Sequence, residues 1–146
     1  MNDVKLTSTL AFRLGTLGAV VTEQFSARLA GHGLKPKHIG LLTVLESGTA
    51  TSQLDIAKLM NVAPSLVVSL ADRLEELGAI QRERDPSDRR RQTLALTEEG
   101  RELLATCTAA AAELDSELTD GLDPEETEAL RSALRTLARR NGLPAD

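Results

Sequence analysis

The strongest constraint on the fold is a pair of short amphipathic helices joined by a tight turn, in QLDIAKLMNVAPSLVVSLADRL (53–74). Ala57 is small enough for two crossing helices to touch, and Asn61, four residues later, tolerates the left-handed backbone that such a turn needs. The inner face of the second helix is then apolar, at Val62, Val67 and Leu70. This spacing is typical of a helix-turn-helix, and an ordinary helical hairpin in a bundle is the alternative.

A basic β-hairpin follows this pair of helices. Two short alternating stretches, Ile80–Arg84 and Gln92–Leu96, predict strands. The loop between them, 85–91, is longer than the roughly five residues that hairpin loops usually reach. Within it, Asp85-Pro86-Ser87-Asp88 fits a type I turn with proline at the second position.

Arginines crowd this hairpin: residues 82–91 contain five, and three of them stand together as Arg89, Arg90 and Arg91. Adjacent cations repel one another, so the fold alone does not favour them, whereas a phosphate backbone or a narrow minor groove does. The alternative is a solvated charge run on a surface loop. Because the run follows a helix-turn-helix pattern directly, we favour contact with nucleic acid.

Composition narrows the class of protein. The 146 residues predict a single domain, and with only 1% aromatic residues the core must be built from Leu, Val and Ala, which favours helices. Base stacking on single strands then lacks its usual aromatic platform. Neither a membrane span nor a secretory signal is evident, so we expect a cytoplasmic protein. We expect no enzyme, because the sequence shows no Ser-His-Asp, Cys-His or phosphate-loop arrangement, and we expect no cofactor. We expect no metal site, because two histidines and one cysteine are scattered along the chain.

The formal net charge of −5 does not argue against a polyanionic partner, because residues 113–128 carry only acidic charges and the rest of the chain is close to neutral. Apolar stripes at helical spacing run along 6–29, 102–118 and 127–137. Together they exceed what a small DNA-binding unit can cover, and a second copy of the chain is the best partner for them.

A helix-turn-helix followed by a basic hairpin is a winged helix, and here the sequence resembles the MarR-type transcription regulators. The resemblance is carried by VAPSLVVSLADRLEELGAIQRERDPSDRRRQTLALTEEG (62–100), and the LKPKHIGLL opening extends it. It implies a mainly α fold with a small β-hairpin wing, a DNA-binding part at 34–97, and dimerisation helices at 1–31 and 98–146. It also implies a homodimeric repressor on a pseudo-palindromic operator, with half-sites about 10 bp apart. A non-DNA-binding helical interaction module that has kept the fold is the alternative.

DNA contacts are expected from both parts of the winged helix. Ser65, Val68 and Arg73 lie on the exposed side of the recognition helix with Pro64 and Ser69, and the family frequently has an arginine in place of Ser69. An ion pair with Asp72 or Glu76 is the alternative role for Arg73. The resemblance places Arg90 in the minor groove, oriented by an ion pair with Asp88. Ser52 and Gln53 open the first helix of the motif, and Ser52 is an expected contact there. The other expected contacts are Arg84, Arg89 and Arg91, and Lys35 and Lys37 are weaker candidates. Asp85 is expected to brace the loop.

Regulators of this family commonly release DNA when a small aromatic or phenolic molecule binds. Gly15 and Gly18, inside a predicted helix, either allow close packing, which we favour, or leave space for such a ligand. Phe12 and His38 can line the same pocket, although a core phenylalanine and a surface histidine are the simpler expectations. Cys107 lies in an alanine-rich stripe, which predicts a buried structural thiol rather than a redox sensor.

Overall fold

The computed structural model describes residues 3–146 and confirms the predicted fold class. A short 3-10 turn, Leu6–Ser8, precedes the first helix. The helices and strands in chain order are α1 (Leu10–Ala30), α2 (Pro36–Ser47), α3 (Gln53–Met60), α4 (Pro64–Glu76), β1 (Ile80–Arg84), β2 (Gln92–Leu96), α5 (Glu98–Leu118) and α6 (Pro124–Arg140).

Capping side chains decide where the helices begin. The α1 helix begins at Leu10 rather than at Leu6, because Thr9 is extended and its hydroxyl accepts the Phe12 amide at 3.2 Å. Thr97 caps α5: its hydroxyl accepts the Gly100 amide at 3.0 Å. In α6, Asp123 and Glu126 form a capping box.

The core is aliphatic, as the composition predicts. Its fully buried side chains come from α1, α2, α3, α4 and the hairpin, and include Leu29, Leu41, Leu42, Ile56, Leu74, Ile80 and Leu94. Phe25 packs against this cluster only in part. Phe12 is 37% exposed, so the expectation of a core phenylalanine is wrong for the single chain. No aromatic ring is needed at the centre, because branched and small side chains from the crossing helices fill it.

Both predicted strands are confirmed, in antiparallel register with Ile80 opposite Leu96 and Arg84 opposite Gln92. The segment before α3 extends the hairpin by one isolated bridge between Ser52 and Thr93, and the Leu94 amide donates to the Thr51 carbonyl at 2.8 Å. On its other side the hairpin meets the start of α5 at Gly100, where a Cβ would collide with the Ala79 carbonyl. The wing is therefore held from two sides at its base.

The tip of the wing differs from the expected turn. The backbone hydrogen bond closes Asp88–Arg91, where the Arg91 amide donates to the Asp88 carbonyl at 3.0 Å. The segment 85–88 is organised instead by the Asp85 carboxylate, which accepts from the Ser87 amide at 2.9 Å and from the Ser87 hydroxyl at 2.7 Å. An acceptor side chain at the first position replaces the backbone carbonyl, which is a common alternative in turns.

The chain divides into two compact units, the first ending at Ala111 and the second comprising Ala112–Asp146. In the first unit, α1 exposes a row of large apolar side chains at Leu10, Leu14, Leu17 and Val20. In the second, α6 has no buried residue and exposes Leu130, Leu134 and Leu137, while Asp115 pairs with Arg131 at 3.5 Å.

Within residues 3–146, no single helix is long and apolar enough to cross a membrane. The bent pair α3 and α4 passes that test jointly, by length and composition. Its apolar character comes from core residues such as Ile56, Val67 and Leu70.

Candidate nucleic-acid interface

The turn between α3 and α4 has the geometry that the sequence predicts. Asn61 adopts the left-handed conformation (φ 54°, ψ 49°), and the Val62 amide donates to the Ala57 carbonyl at 3.0 Å. Ala57 is 2% exposed at the crossing, and the two helix directions differ by 111°. This angle leaves the outer face of α4 free, as a recognition helix requires.

Four of the predicted DNA contacts lie together on that outer face. Pro64, Ser65, Val68 and Ser69 are all exposed around the first two turns of α4. On the opposite face Val67, Leu70 and Leu74 are buried in the core. The exposed face is small and mostly uncharged, so its own attraction for phosphates is weak.

Arg82 forms a contact network that the sequence reasoning missed. Its guanidinium donates to the Asp72 carboxylate at 2.6 Å, to the Glu75 carboxylate at 2.9 Å and to the Val68 carbonyl at 3.2 Å. Burial alone would lower the pKa of Arg82. The hydrogen bonds that its guanidinium donates to the Asp72 and Glu75 carboxylates have the larger combined effect, so the pKa is raised. Strand alternation was the available signal, since it puts Arg82 on the same face as the buried Ile80.

The exposed arginines of the wing are Arg84, Arg89 and Arg90. The predicted ion pair between Asp88 and Arg90 is not formed within the described residues: the Asp88 carboxylate instead accepts the Arg90 backbone amide at 3.0 Å. This leaves the Arg90 guanidinium free to extend from the tip. Asp85 braces the loop as expected, and the Ser87 hydroxyl holds the pKa of Asp85 below its usual value.

Arg91 and Ser52 lie apart from the other predicted contacts. Ser52 is 4% exposed, and its hydroxyl caps α3 by accepting the Asp55 amide at 3.1 Å. The Arg91 guanidinium donates to the same hydroxyl at 2.9 Å and to the Asp55 carboxylate at 2.7 Å. The helix cap buries this hydroxyl, so the expected DNA contact at Ser52 stays a prediction for the backbone amides at the start of α3. Arg91 likewise folds back from the tip.

Arg73 takes the alternative role that the sequence left open. Its guanidinium pairs with Glu76 at 3.4 Å and donates to the Gly33 carbonyl at 3.3 Å. Asp72, the other acidic neighbour, forms its ion pair with Arg82 instead. Arg73 therefore connects α4 to the corner between α1 and α2.

Arg73 also lines an open cleft of about 680 Å³ between the end of α1, the start of α2 and the flank of α4. The lining residues are Ser26, Ala30, Gly33, Leu34, Lys35, Pro36, His38, Ser69 and Arg73. The cleft combines an apolar floor with two cations and two hydroxyls. That combination suits a small molecule with an apolar body and an anionic group.

Of the four predicted effector residues, only His38 lines this cleft. The expectation of a surface histidine is wrong: His38 is 7% exposed, and its Nδ1 accepts the Lys35 amide at 2.8 Å at the start of α2. Phe12, Gly15 and Gly18 lie on α1 outside the lining, and a Cβ at either glycine would meet nothing within 4 Å among residues 3–146. Within one chain, the favoured close packing at these glycines is therefore not seen.

Cys107 is fully buried on α5, as predicted, and burial raises the pKa of its thiol. No group of three or more His, Cys, Asp or Glu in residues 3–146 is placed to hold a metal ion.

Comparison with known proteins gives consistent matches. The model of the MarR family matches residues 36–91. A protein assigned as transcriptional regulator of the hcr operon in Thauera aromatica is 33% identical over 109 residues; the match covers 75% of this chain and 66% of that protein, just under two thirds.

Two solved structures cover nearly the whole chain. CouR from Rhodococcus jostii RHA1, bound to p-coumaroyl-CoA, is 30% identical with a TM-score of 0.70, over 92% of this chain and 94% of CouR. A MarR-family regulator from Rhodococcus sp. RHA1 is 28% identical with a TM-score of 0.74, over 92% of this chain and 96% of that one.

The stability of the fold should fall with acidity through His38. Burial, and then the nearby positive charge of Arg73, lowers the pKa of His38 below 6.5. The unfolded chain therefore takes up a proton near pH 6.5 while the folded chain does not, so stability is full above that pH and decreases below it.

This dependence is measurable by urea denaturation between pH 7.5 and 5. His38→Gln, which keeps an acceptor for the Lys35 amide, should flatten the part of the pH profile just below 6.5. His32→Gln is the matched control, since His32 is exposed. An unchanged profile in His38→Gln would contradict the assignment.

Proposed function

Because the chain belongs to the MarR family of transcriptional regulators, we propose that it is a homodimeric repressor that binds a pseudo-palindromic site in duplex DNA and is released by a small molecule. In this proposal residues 34–97 contact DNA, and residues 1–31 and 98–146 form the dimer. A non-DNA-binding interaction module is the alternative function.

The observation that carries the proposal is the wing beside the open face of α4. Arg84, Arg89 and Arg90 are exposed and take part in no ion pair within the described residues. A folded chain gains nothing from three unpaired cations on one hairpin, whereas each phosphate that they neutralise releases counterions.

The recognition helix supports the same interpretation by removing a repulsion. Asp72 lies on the exposed side of α4, where an unpaired carboxylate would repel the DNA backbone. The Arg82 guanidinium neutralises it at 2.6 Å from within the protein. The remaining contacts, Pro64, Ser65, Val68 and Ser69, can then approach base edges, with Val68 suited to a thymine methyl.

Direct readout by this helix is modest, because the chain has Ser69 where an arginine is frequent in the family. A serine contacts either kind of base and discriminates less than a bidentate guanidinium. Shape and phosphate contacts through Arg90 and its neighbours should therefore supply a large share of the affinity.

DNA binding should depend on the wing charge. Arg90→Ala should lower affinity for a duplex that the wild-type protein selects from a random library, and should reduce the slope of log K against log salt by about 0.9 per lost phosphate contact. Titrations from 50 to 200 mM salt, followed by fluorescence anisotropy, measure both quantities.

Arg101→Ala is the matched control, because Arg101 is an exposed arginine outside the wing that pairs with Glu98 at 3.8 Å. Equal affinities for Arg90→Ala and wild type would remove Arg90 from the interface. A wild-type protein that binds no duplex even at low salt would favour the interaction module.

The dimer is supported by the exposed apolar rows on the two terminal regions. Leu14 and Leu17 on α1 are 47% and 57% exposed, and Leu130, Leu134 and Leu137 on α6 are all above 40%. Rows of exposed leucines, one on each helix, are uncommon on the surface of a monomer. Two-fold pairing through them places the two wings on one side of the duplex, one helical turn of about 10 bp apart.

Leu134→Glu should shift the protein from dimer to monomer, since it puts a charge into the proposed apolar interface. Sedimentation velocity at micromolar concentration measures the shift. Leu59→Glu is the control, because Leu59 is 52% exposed on α3, outside the proposed interface. If both variants sediment like the wild type, α6 is not in the interface.

A ligand site in the cleft beside His38 and Arg73 is the proposed route of release. The cleft holds the cations Lys35 and Arg73 over apolar surface from Ala30, Leu34 and Pro36. CouR, which covers nearly the whole chain, is bound to p-coumaroyl-CoA. A phenolic or aromatic molecule with an anionic group is therefore the proposed class of effector.

Calorimetric titration without DNA, using p-coumaroyl-CoA and p-coumarate as probes, checks this assignment. Lys35→Ala should weaken the binding of whichever probe binds by about tenfold, the loss expected when one charge-assisted hydrogen bond is removed. Lys37→Ala is the control, because Lys37 has the same charge two residues away and does not line the cleft. Equal weakening by both variants would point to general attraction rather than to the cleft.

A further inference from the structure

We propose that Arg91 is a positioning residue, whose ion pair with Asp55 fixes the wing against the start of α3 and so sets where Arg89 and Arg90 meet DNA. The inference rests on the proposed DNA-binding function and revises the expected role of Arg91 as a groove contact.

The first step is the contact itself. The Arg91 guanidinium lies 2.7 Å from the Asp55 carboxylate and donates to the Ser52 hydroxyl at 2.9 Å. Both acceptors belong to the first turn of α3, the helix that precedes the recognition helix. One side chain therefore joins the end of the wing loop to the frame of the helix-turn-helix.

The backbone of Arg91 transmits this anchor to the tip. Its amide closes the turn by donating to the Asp88 carbonyl, and its carbonyl accepts the Asp85 amide, each at 3.0 Å. Arg89 and Arg90 are the two residues enclosed by that turn. Fixing the Arg91 side chain on α3 therefore restricts the position of both exposed arginines.

The Nε and Nη2 groups of Arg91 are not open to a phosphate, although the side chain as a whole is 41% exposed. Its Nε is buried and has no hydrogen-bond partner within the described residues, so a DNA phosphate cannot reach it. Nη2 already serves two acceptors. By contrast, nothing within the described residues pairs with the guanidinium of Arg89 or Arg90.

Asp55 is also diverted from its expected role. A serine cap followed three residues later by an acid is the pattern of a capping box, in which Asp55 would accept the Ser52 amide; here only the Ser52 hydroxyl takes part in the cap, by accepting the Asp55 amide. The carboxylate turns to Arg91 instead. The fold thus replaces a hydrogen bond within α3 by one that reaches across to the wing.

The test compares Asp55→Asn, Arg91→Gln and the double variant on a duplex selected from a random library by the wild-type protein. Asp55→Asn keeps the shape of the side chain, and Arg91→Gln keeps a polar, unbranched side chain; both choices favour folding. We expect each to weaken binding by about tenfold, as for the loss of one charge-assisted hydrogen bond. The double variant should be no more than about threefold weaker than either single variant, because one interaction is removed in all three.

Two further readouts separate positioning from direct contact. The slope of log K against log salt should stay at the wild-type value in Asp55→Asn and Arg91→Gln, whereas Arg89→Ala, a predicted phosphate contact, should lower it by about 0.9. Without DNA, hydrogen exchange at residues 85–91 should be faster in Asp55→Asn than in the wild type, because the loop has lost its anchor.

Several outcomes would overturn the inference. Unchanged or tighter binding by Asp55→Asn, together with a reduced salt slope in Arg91→Gln, would make Arg91 a phosphate contact. Wild-type affinity in both variants would remove any positioning role. If Arg91→Gln does not fold, Asp55→Asn alone decides by affinity and exchange. A wild-type protein that selects no duplex fails the proposed function, and the inference falls with it.

Discussion

The half-buried guanidinium of Arg82 is the interaction on which the winged helix depends. It leaves β1 and reaches the Asp72 and Glu75 carboxylates and the Val68 carbonyl on α4. An arginine that is 18% exposed has lost most of its water, and several acceptors at fixed positions replace that hydration. The hairpin and the recognition helix therefore keep one relative placement, and any DNA contact that uses both parts relies on it.

The distribution of charge follows from this division of the arginines. Of the five in the hairpin, Arg82 and Arg91 are used inside the winged helix, while Arg84, Arg89 and Arg90 remain exposed. The net charge of −5 comes largely from residues 113–128, far along the chain from the wing. A chain that is acidic overall can thus present a local cationic surface, and the general repulsion disfavours indiscriminate binding to polyanions.

Much of the fold could be predicted from local signals. Asn61 sets the left-handed turn between α3 and α4 by its own chemistry, and residue alternation marks the two strands of the hairpin. The tertiary uses of side chains could not be predicted in this way. Arg82, Arg91 and Asp55 look alike in the sequence as exposed charges, and only packing shows that each serves a partner 10 or more residues away. For the same reason His38 is buried where exposure was expected, and Phe12 is exposed where burial was expected. The helical period shows which residues share a face, but it does not show which faces pack together within one chain.

Under the proposed function, α4 borders both the DNA-facing surface and the ligand cleft, and this offers a physical route from ligand to DNA. Ser65 and Val68 face outward, and Arg73 lines the cleft next to His38. Ser69 is exposed on the outer face and also lines the cleft. Arg73 divides its hydrogen bonds between the Gly33 carbonyl and Glu76, so it is attached both to the corner before α2 and to its own helix. An anionic ligand in the cleft would compete with Glu76 for that guanidinium. A ligand shifts an equilibrium only by its differential affinity for two arrangements, and this exchange of partners at Arg73 supplies such a difference. The Arg82 network would then carry a shift of α4 to the wing as one body.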